Sequence, residues 1–123
     1  MHKDQVLGIL STVQVKAGRE DDYHQALMNL IRDHSTREPD CIDIVVHRRV
    51  DDPTQIMLYE RWRITRERFV SEQMSKPFIK DFTERTRKMV VADEEVTYWS
   101  SIDLVAEGEH FTLAGAADTR PSN

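Results

Sequence analysis

Apolar side chains recur along the chain at changing intervals, and each change marks an element. From Gln5 to Val15 both alternating registers are apolar, with Leu7, Ile9, Val13 and Val15 on one and Val6 and Leu10 on the other. That pattern predicts a strand buried on two faces. Lys16, Ala17 and Gly18 end it. Tyr23, Ala26, Leu27, Leu30, Ile31 and His34 then fall on a single helical stripe, with Glu20, Asp21 and Asp22 at its N-terminal end, where negative charge is favoured. Pro39 stops that helix. Residues 41–50 and 54–62 are β-rich and separated by Asp51-Asp52-Pro53, which predicts a hairpin turn. A helical region from about Thr65 to Met89 is split in two at Ser75-Lys76-Pro77, and residues 95–103 form the last clear strand.

The order β-α-β-β-α-β is the split-βαβ arrangement, an α+β, ferredoxin-like fold with an antiparallel sheet. Residues 1–103 form the domain, and 104–123 are an extension ending in a frayed tail, AGAADTRPSN. Helices cover one face of such a sheet only. The two-sided apolar character of the first strand, and of Cys41–Val46 with Ile42, Ile44 and Val45, therefore calls for a partner on the other face, and a second copy is the simplest one. In that homodimer, edge strands near Cys41–Val50 and Glu95–Asp103 help close a joint barrel, and Leu104, Val105, Phe111 and Leu113 reach toward the partner.

Composition narrows the function classes. A chain of 123 residues holds one domain, and 39% hydrophobic with 32% charged residues describes a soluble globular protein. A net charge of −5 argues against a sequence-independent nucleic-acid binder. The late basic residues Lys80, Arg85, Arg87 and Lys88 alternate with Asp81 and Glu84, as on a solvated helix face. Cys41 stands alone and reads as a small buried hydrophobe. No segment is long and apolar enough for a signal peptide or a membrane span, so the cytoplasm is the expected compartment. His24, His34, His47 and His110 lack ligand spacing, and no nucleophile elbow, CxxC, P-loop or GxGxxG occurs, so no metal or nucleotide is expected.

Glu38-Pro39-Asp40-Cys41, Val46-His47-Arg48, Asp51-Asp52-Pro53 and Met57-Leu58-Tyr59-Glu60-Arg61-Trp62 resemble the antibiotic biosynthesis monooxygenase family, whose pattern runs EPGC, strand, DDP, then an apolar strand ending E-x-W. Lys16-Ala17-Gly18 and Ser75-Lys76-Pro77-Phe78 match in place and order, so the resemblance spans about residues 5–103. It implies a dimeric α/β barrel and a cofactor-free monooxygenase acting with dioxygen on a small aromatic quinol, anthrone or polyphenol. No flavin, haem or metal is then required. A non-catalytic or regulatory ligand-binding dimer of the same fold is the alternative. The chain departs from the family at Asp40, often Gly, and at Glu72, where many members carry His. The Asn, Trp and His set of a haem-degrading branch falls on Ser11, Glu72 and Phe82, which argues against haem turnover.

The expected pocket lies between helices and sheet. Trp62, Phe78 and Trp99 are candidate walls, and Ser11, His47, Tyr59, Glu60 and Glu72 are candidate polar groups. Glu60 shares a strand face with Ile56, Leu58 and Trp62, either as an arginine's salt-bridge partner or as a carboxylate with raised pKa accepting a proton. His47 is either an exposed strand histidine or a proton shuttle, and Tyr59, Tyr98 and Trp99 either line an aromatic-ligand pocket or pack a core or interface. Side chains alternate along a strand, so Tyr59 and Glu60 point oppositely, and Glu60 is the favoured base.

Overall fold

The computed structural model describes residues 5–113. Strand β1 (Leu7–Gln14) leads into helix α1 (Glu20–Asp33), then strands β2 (Cys41–Arg49) and β3 (Asp52–Trp62). A short helix α2 (Arg66–Arg68) runs directly into a π-helical turn (Phe69–Gln73), followed by α3 (Pro77–Thr86) and strand β4 (Glu95–Ser100). The four strands form one antiparallel sheet in the order β2-β3-β1-β4. This is the ferredoxin-like α+β arrangement that the hydrophobic pattern predicts.

The sequence sets each boundary by local means. The first-turn acids of α1 face its unsatisfied N–H groups, and the Gly18 N–H donates to Glu20 Oε1 at 2.6 Å. Thr65 caps α2, its Oγ1 accepting the Arg68 N–H at 3.1 Å. Pro77 opens α3 at a position that needs no donor.

Two expectations shift in detail. The hairpin turn is Val50-Asp51, while Asp52 and Pro53 already belong to β3. The Asp52 carboxylate accepts from the Thr54 backbone and side chain and from Gln55, which ties the strand start in place. The last sheet strand stops at Ser100, and Asp103 begins a separate hairpin of β5 (Asp103–Ala106) and β6 (Glu109–Thr112). Its turn residues Glu107 and Gly108 have φ of 53° and 82°, the left-handed pair a tight two-residue turn requires. Glu107 is the only non-glycine at positive φ among the described residues, so Asp40, in place of the family's frequent Gly, bears no left-handed strain. The tail from residue 114 onward lies outside the described residues.

Burial divides the covered side into two clusters. Val13, Val15, Tyr23, Leu27, Ile31 and Ile56 pack at one end. Leu7, Ile9, Trp62, Ile64 and Phe69 pack at the other. The opposite face of the same strands is bare of helices. It presents Leu10, Met57 and Tyr59, with Val45 and Trp99 exposed.

Candidate active site

Between the two buried clusters the helices leave a cavity of about 80 Å³ against the sheet. Alternation along the strands decides its floor. Ile9 and Ser11 of β1, Ile44 of β2, Leu58, Glu60 and Trp62 of β3 and Val96 of β4 all point into it. Its roof comes from α1, the π-helical turn and α3, through Tyr23, Phe69, Gln73, Phe78 and Phe82. The π-helical turn matters here. Its wider turn carries the Met74 N–H to the Phe69 carbonyl at 3.2 Å, and Phe69 and Gln73 are both buried. Gln73 Nε2 donates to Glu38 Oε1 at 2.9 Å, pinning this turn to the segment that follows α1.

Glu60 is the carboxylate on the floor of the cavity. It pairs across the sheet with Ile9 on one side and Ile44 on the other. Trp62 Nε1 donates to its Oε1 at 2.9 Å. Among the described residues no arginine pairs with it, since Arg61 on the opposite face is engaged by Asp43 in a two-point contact of 3.0 and 2.8 Å. The salt-bridge reading of Glu60 is therefore set aside. Burial pushes its carboxyl above the usual range, the Trp62 hydrogen bond draws it partly back, and the charge of Glu94 adds to the rise.

The remaining groups sort by strand parity. Ser11, Glu60, Trp62 and Phe78 meet in the cavity as expected. His47, Tyr59 and Trp99 do not line it, because each occupies the alternate register and faces the bare side of the sheet. There Tyr59 lies across Gly8, where an added Cβ would meet its hydroxyl at 3.0 Å. Glu72 also stands outside, exposed on the outer side of the π-helical turn and held by Arg68 at 3.0 Å. Phe82 lines the cavity and packs edge-on against Tyr23, with ring centroids 5.9 Å apart.

Two cavity groups escape the sequence pattern. Tyr23 reads only as one position of the α1 stripe, yet it is a buried wall of the site, where burial and then Glu94 hold its phenol well above its ordinary pKa. Glu94 sits in the polar run Ala92-Asp93-Glu94-Glu95, which resembles any solvated loop. Cys41 lies beside the second buried cluster, where burial and the charges of Glu60, Asp43 and Glu38 push its thiol up to about 12, so it remains protonated and unreactive.

The fold has many solved counterparts. A candidate antibiotic biosynthesis monooxygenase from Nitrosomonas europaea superposes with a TM-score of 0.69 at 17% identity, covering 78% of this chain and 89% of its own. A protein from Shewanella oneidensis gives 0.68 at 21% identity, with 80% and 92% covered. One from Pseudomonas aeruginosa gives 0.71 at 15% identity, with 83% and 99% covered. At such identities the likeness concerns the fold alone. No curated protein matches the chain in sequence. The family profile for antibiotic biosynthesis monooxygenase matches residues 7–67, which span β1 through the start of α2 and carry Ser11, Glu60 and Trp62. Residues 7–67 thus carry a match to the antibiotic biosynthesis monooxygenase domain, on a fold shared with those solved structures.

Proposed function

We propose that this protein is a cofactor-independent monooxygenase acting on a small aromatic quinol or related phenol, with Glu60 as proton acceptor. The observation that carries the reading is a carboxylate with one hydrogen-bond partner in a mainly apolar, aromatic-walled cavity. There Glu60 accepts a phenolic or activated C–H proton, and the delocalised substrate anion donates an electron to dioxygen. One oxygen atom enters the product and the other leaves as water with two substrate hydrogens, so no outside reductant is consumed. Phe69, Phe78 and Trp62 supply the apolar walls that orient the ring.

Size narrows the substrate class. An apolar cavity that accepts benzene measures about 150 Å³, nearly twice the 80 Å³ found here. A single ring enters with modest displacement of α3, whereas a three-ring anthrone requires the helices to separate. Monocyclic quinols are the favoured members of the class.

The proposal includes a homodimer through the bare sheet face. Val45 is 46% exposed and Trp99 56% exposed, beside Leu10, Met57 and Tyr59 on the same surface. Burying such a face against its own copy removes apolar area from water without any change in the fold. Light scattering is expected to give twice the 14.4 kDa chain mass, and a monomer at micromolar concentration would refute the assembly.

One observation favours the non-catalytic reading. Glu72, where many members carry His, is bound to Arg68 outside the cavity. Oxygen uptake with a panel of monocyclic quinols and anthrones separates the two. Uptake coupled to product formation supports the enzyme. Binding by calorimetry with no oxygen consumed supports a ligand-binding dimer.

A further inference from the structure

The cavity shares a wall with an open surface groove. Val13, Tyr23, Phe82, Thr83 and Glu94 line both, and Thr86, Arg87 and the loop Val90–Asp93 complete the outer side. These shared residues are the partition between the buried site and solvent. Most of them are apolar or carry a group that stays neutral near neutral pH, whereas Glu94 carries a carboxylate. It is the residue immediately before β4, fixed there by the pairing of Val96 with Ser11. It is exposed on its outer side, and among the described residues no hydrogen bond or ion pair engages its carboxylate.

We propose that Glu94 is a second acid–base group of this site, standing in the mouth of the cavity and carrying protons between Glu60 and solvent. The inference rests on Glu60 being the proton acceptor. A base half-buried beneath α1 and α3 must return to its carboxylate form before each turnover, and the groove beside Glu94 offers its proton a route. The balance is simple. The proton on the Glu60 carboxyl passes to the Glu94 carboxylate, directly or through water in the cavity, and Glu94 exchanges it with the groove, an equivalent proton returning by the same route when the departing water forms. Glu60 is left ionised, and nothing is oxidised or reduced.

Three further observations fit this passage. Trp62 occupies only Oε1 of Glu60, leaving Oε2 without a protein partner among the described residues. Ser11 is 6% exposed, lines the cavity, and its hydroxyl makes no hydrogen bond to another described residue, so it is available to hold a water or a substrate hydroxyl. The titratable and charged groups around Glu94 are Tyr23 from α1, Glu60 from β3, Tyr98 from β4, and Arg87 and Asp93 in the groove. Tyr23 stays a neutral phenol. Burial in the apolar mouth, and then the charge of Asp93, raise the Glu94 carboxyl above its usual range, the same direction in which burial moves Glu60.

The test uses Glu94→Gln, Glu94→Asp and Glu60→Gln in the full chain, in a buffer free of small carboxylates. The infrared carbonyl band of the protonated carboxyl that disappears in Glu60→Gln identifies Glu60 without any substrate. In Glu94→Gln that band is expected to titrate at lower pH, by about threefold or more in proton affinity, because a nearby negative charge is gone. Quinol turnover should fall about tenfold or more, recover with added acetate or formate, and be largely kept in Glu94→Asp. An unshifted Glu60 band, or a loss of rate that acetate does not restore, would overturn the relay. Full activity in Glu60→Gln would instead remove Glu60 as the base, while the band shift would still report on Glu94.

Discussion

Glu60 and Asp43 lie on neighbouring strands of one sheet and end in opposite electrostatic states. Glu60 faces the helices, keeps a single neutral donor and has its pKa raised by burial. Asp43 faces the bare side, takes two hydrogen bonds from Arg61 and has its pKa lowered, with that hydrogen bonding the main cause. The residue type is nearly the same; strand parity decides the rest. One face of the sheet leaves a carboxylate with a single neutral partner and a raised pKa. The other spends its charges on a surface pair and its apolar groups on a contact surface.

The sharpest way to break this contrast is Glu60→Gln, which keeps shape and removes the base. Turnover is expected to fall by about 10²–10⁴-fold with substrate affinity nearly unchanged, read by steady-state oxygen uptake and calorimetry. Asp43→Asn on the other face should leave turnover intact.

Tryptophan gives the same contrast in stability. Trp62 is 2% exposed, packs edge-on with Phe69 at 5.3 Å and donates to Glu60. Trp62→Ala is expected to cost about 3–5 kcal/mol in denaturant unfolding. Trp99→Ala should leave the unfolding of the isolated subunit nearly unchanged and weaken self-association, seen as a concentration-dependent mass in light scattering.

The pH dependence of stability separates the faces by sign. Glu60, with its folded pKa raised, binds more protons folded than unfolded above the ordinary Glu value of about 4.3. Its contribution to stability therefore falls as pH rises through that window. Asp43, with its folded pKa lowered, contributes above about 3.9, and that contribution is lost as pH falls toward its folded value. Glu60→Gln should flatten the first slope only and Asp43→Asn the second only. The Asp43 effect stays within about 1 kcal/mol because the pair is partly solvated.

The smallest expected effect belongs to Glu72→His. An exposed pair with Arg68 contributes little to stability, and a ring at that position stands outside the cavity. Activity should stay within about twofold of the parent, and a larger gain would show that the π-helical turn can rotate inward.

Much of this was legible in the residues, and parity explains both what was and what was not. Alternation from Ile56 to Trp62 places Glu60 with the apolar set, and it sets Tyr59 apart. The same rule separates His47 from Ile44 and Val46, but periodicity alone does not tell which face the helices cover. The π-helical turn leaves no mark in a sequence read at 3.6 residues per turn, so Glu72 and Gln73 could not be assigned to outside and inside. Glu94 was invisible for a different reason. Its place at the cavity depends on β4 pairing with β1, a contact between residues roughly 90 positions apart in sequence.

That pairing also orders events in time. β1 leaves the ribosome before the other strands of its sheet, yet it lies inside that sheet between β3 and β4. The β2–β3 hairpin closes over a two-residue turn, whereas Leu7 must wait for Ser100. Closing so long a loop costs entropy before any contact offsets it, so β4 joins late. Until it does, one edge of β1 is open to other chains, and the cavity lacks both Val96 and the carboxylate at its mouth. During synthesis the site is therefore unfinished until nearly the whole domain has emerged, and a chain stalled before residue 95 would present a sticky strand rather than a weak enzyme.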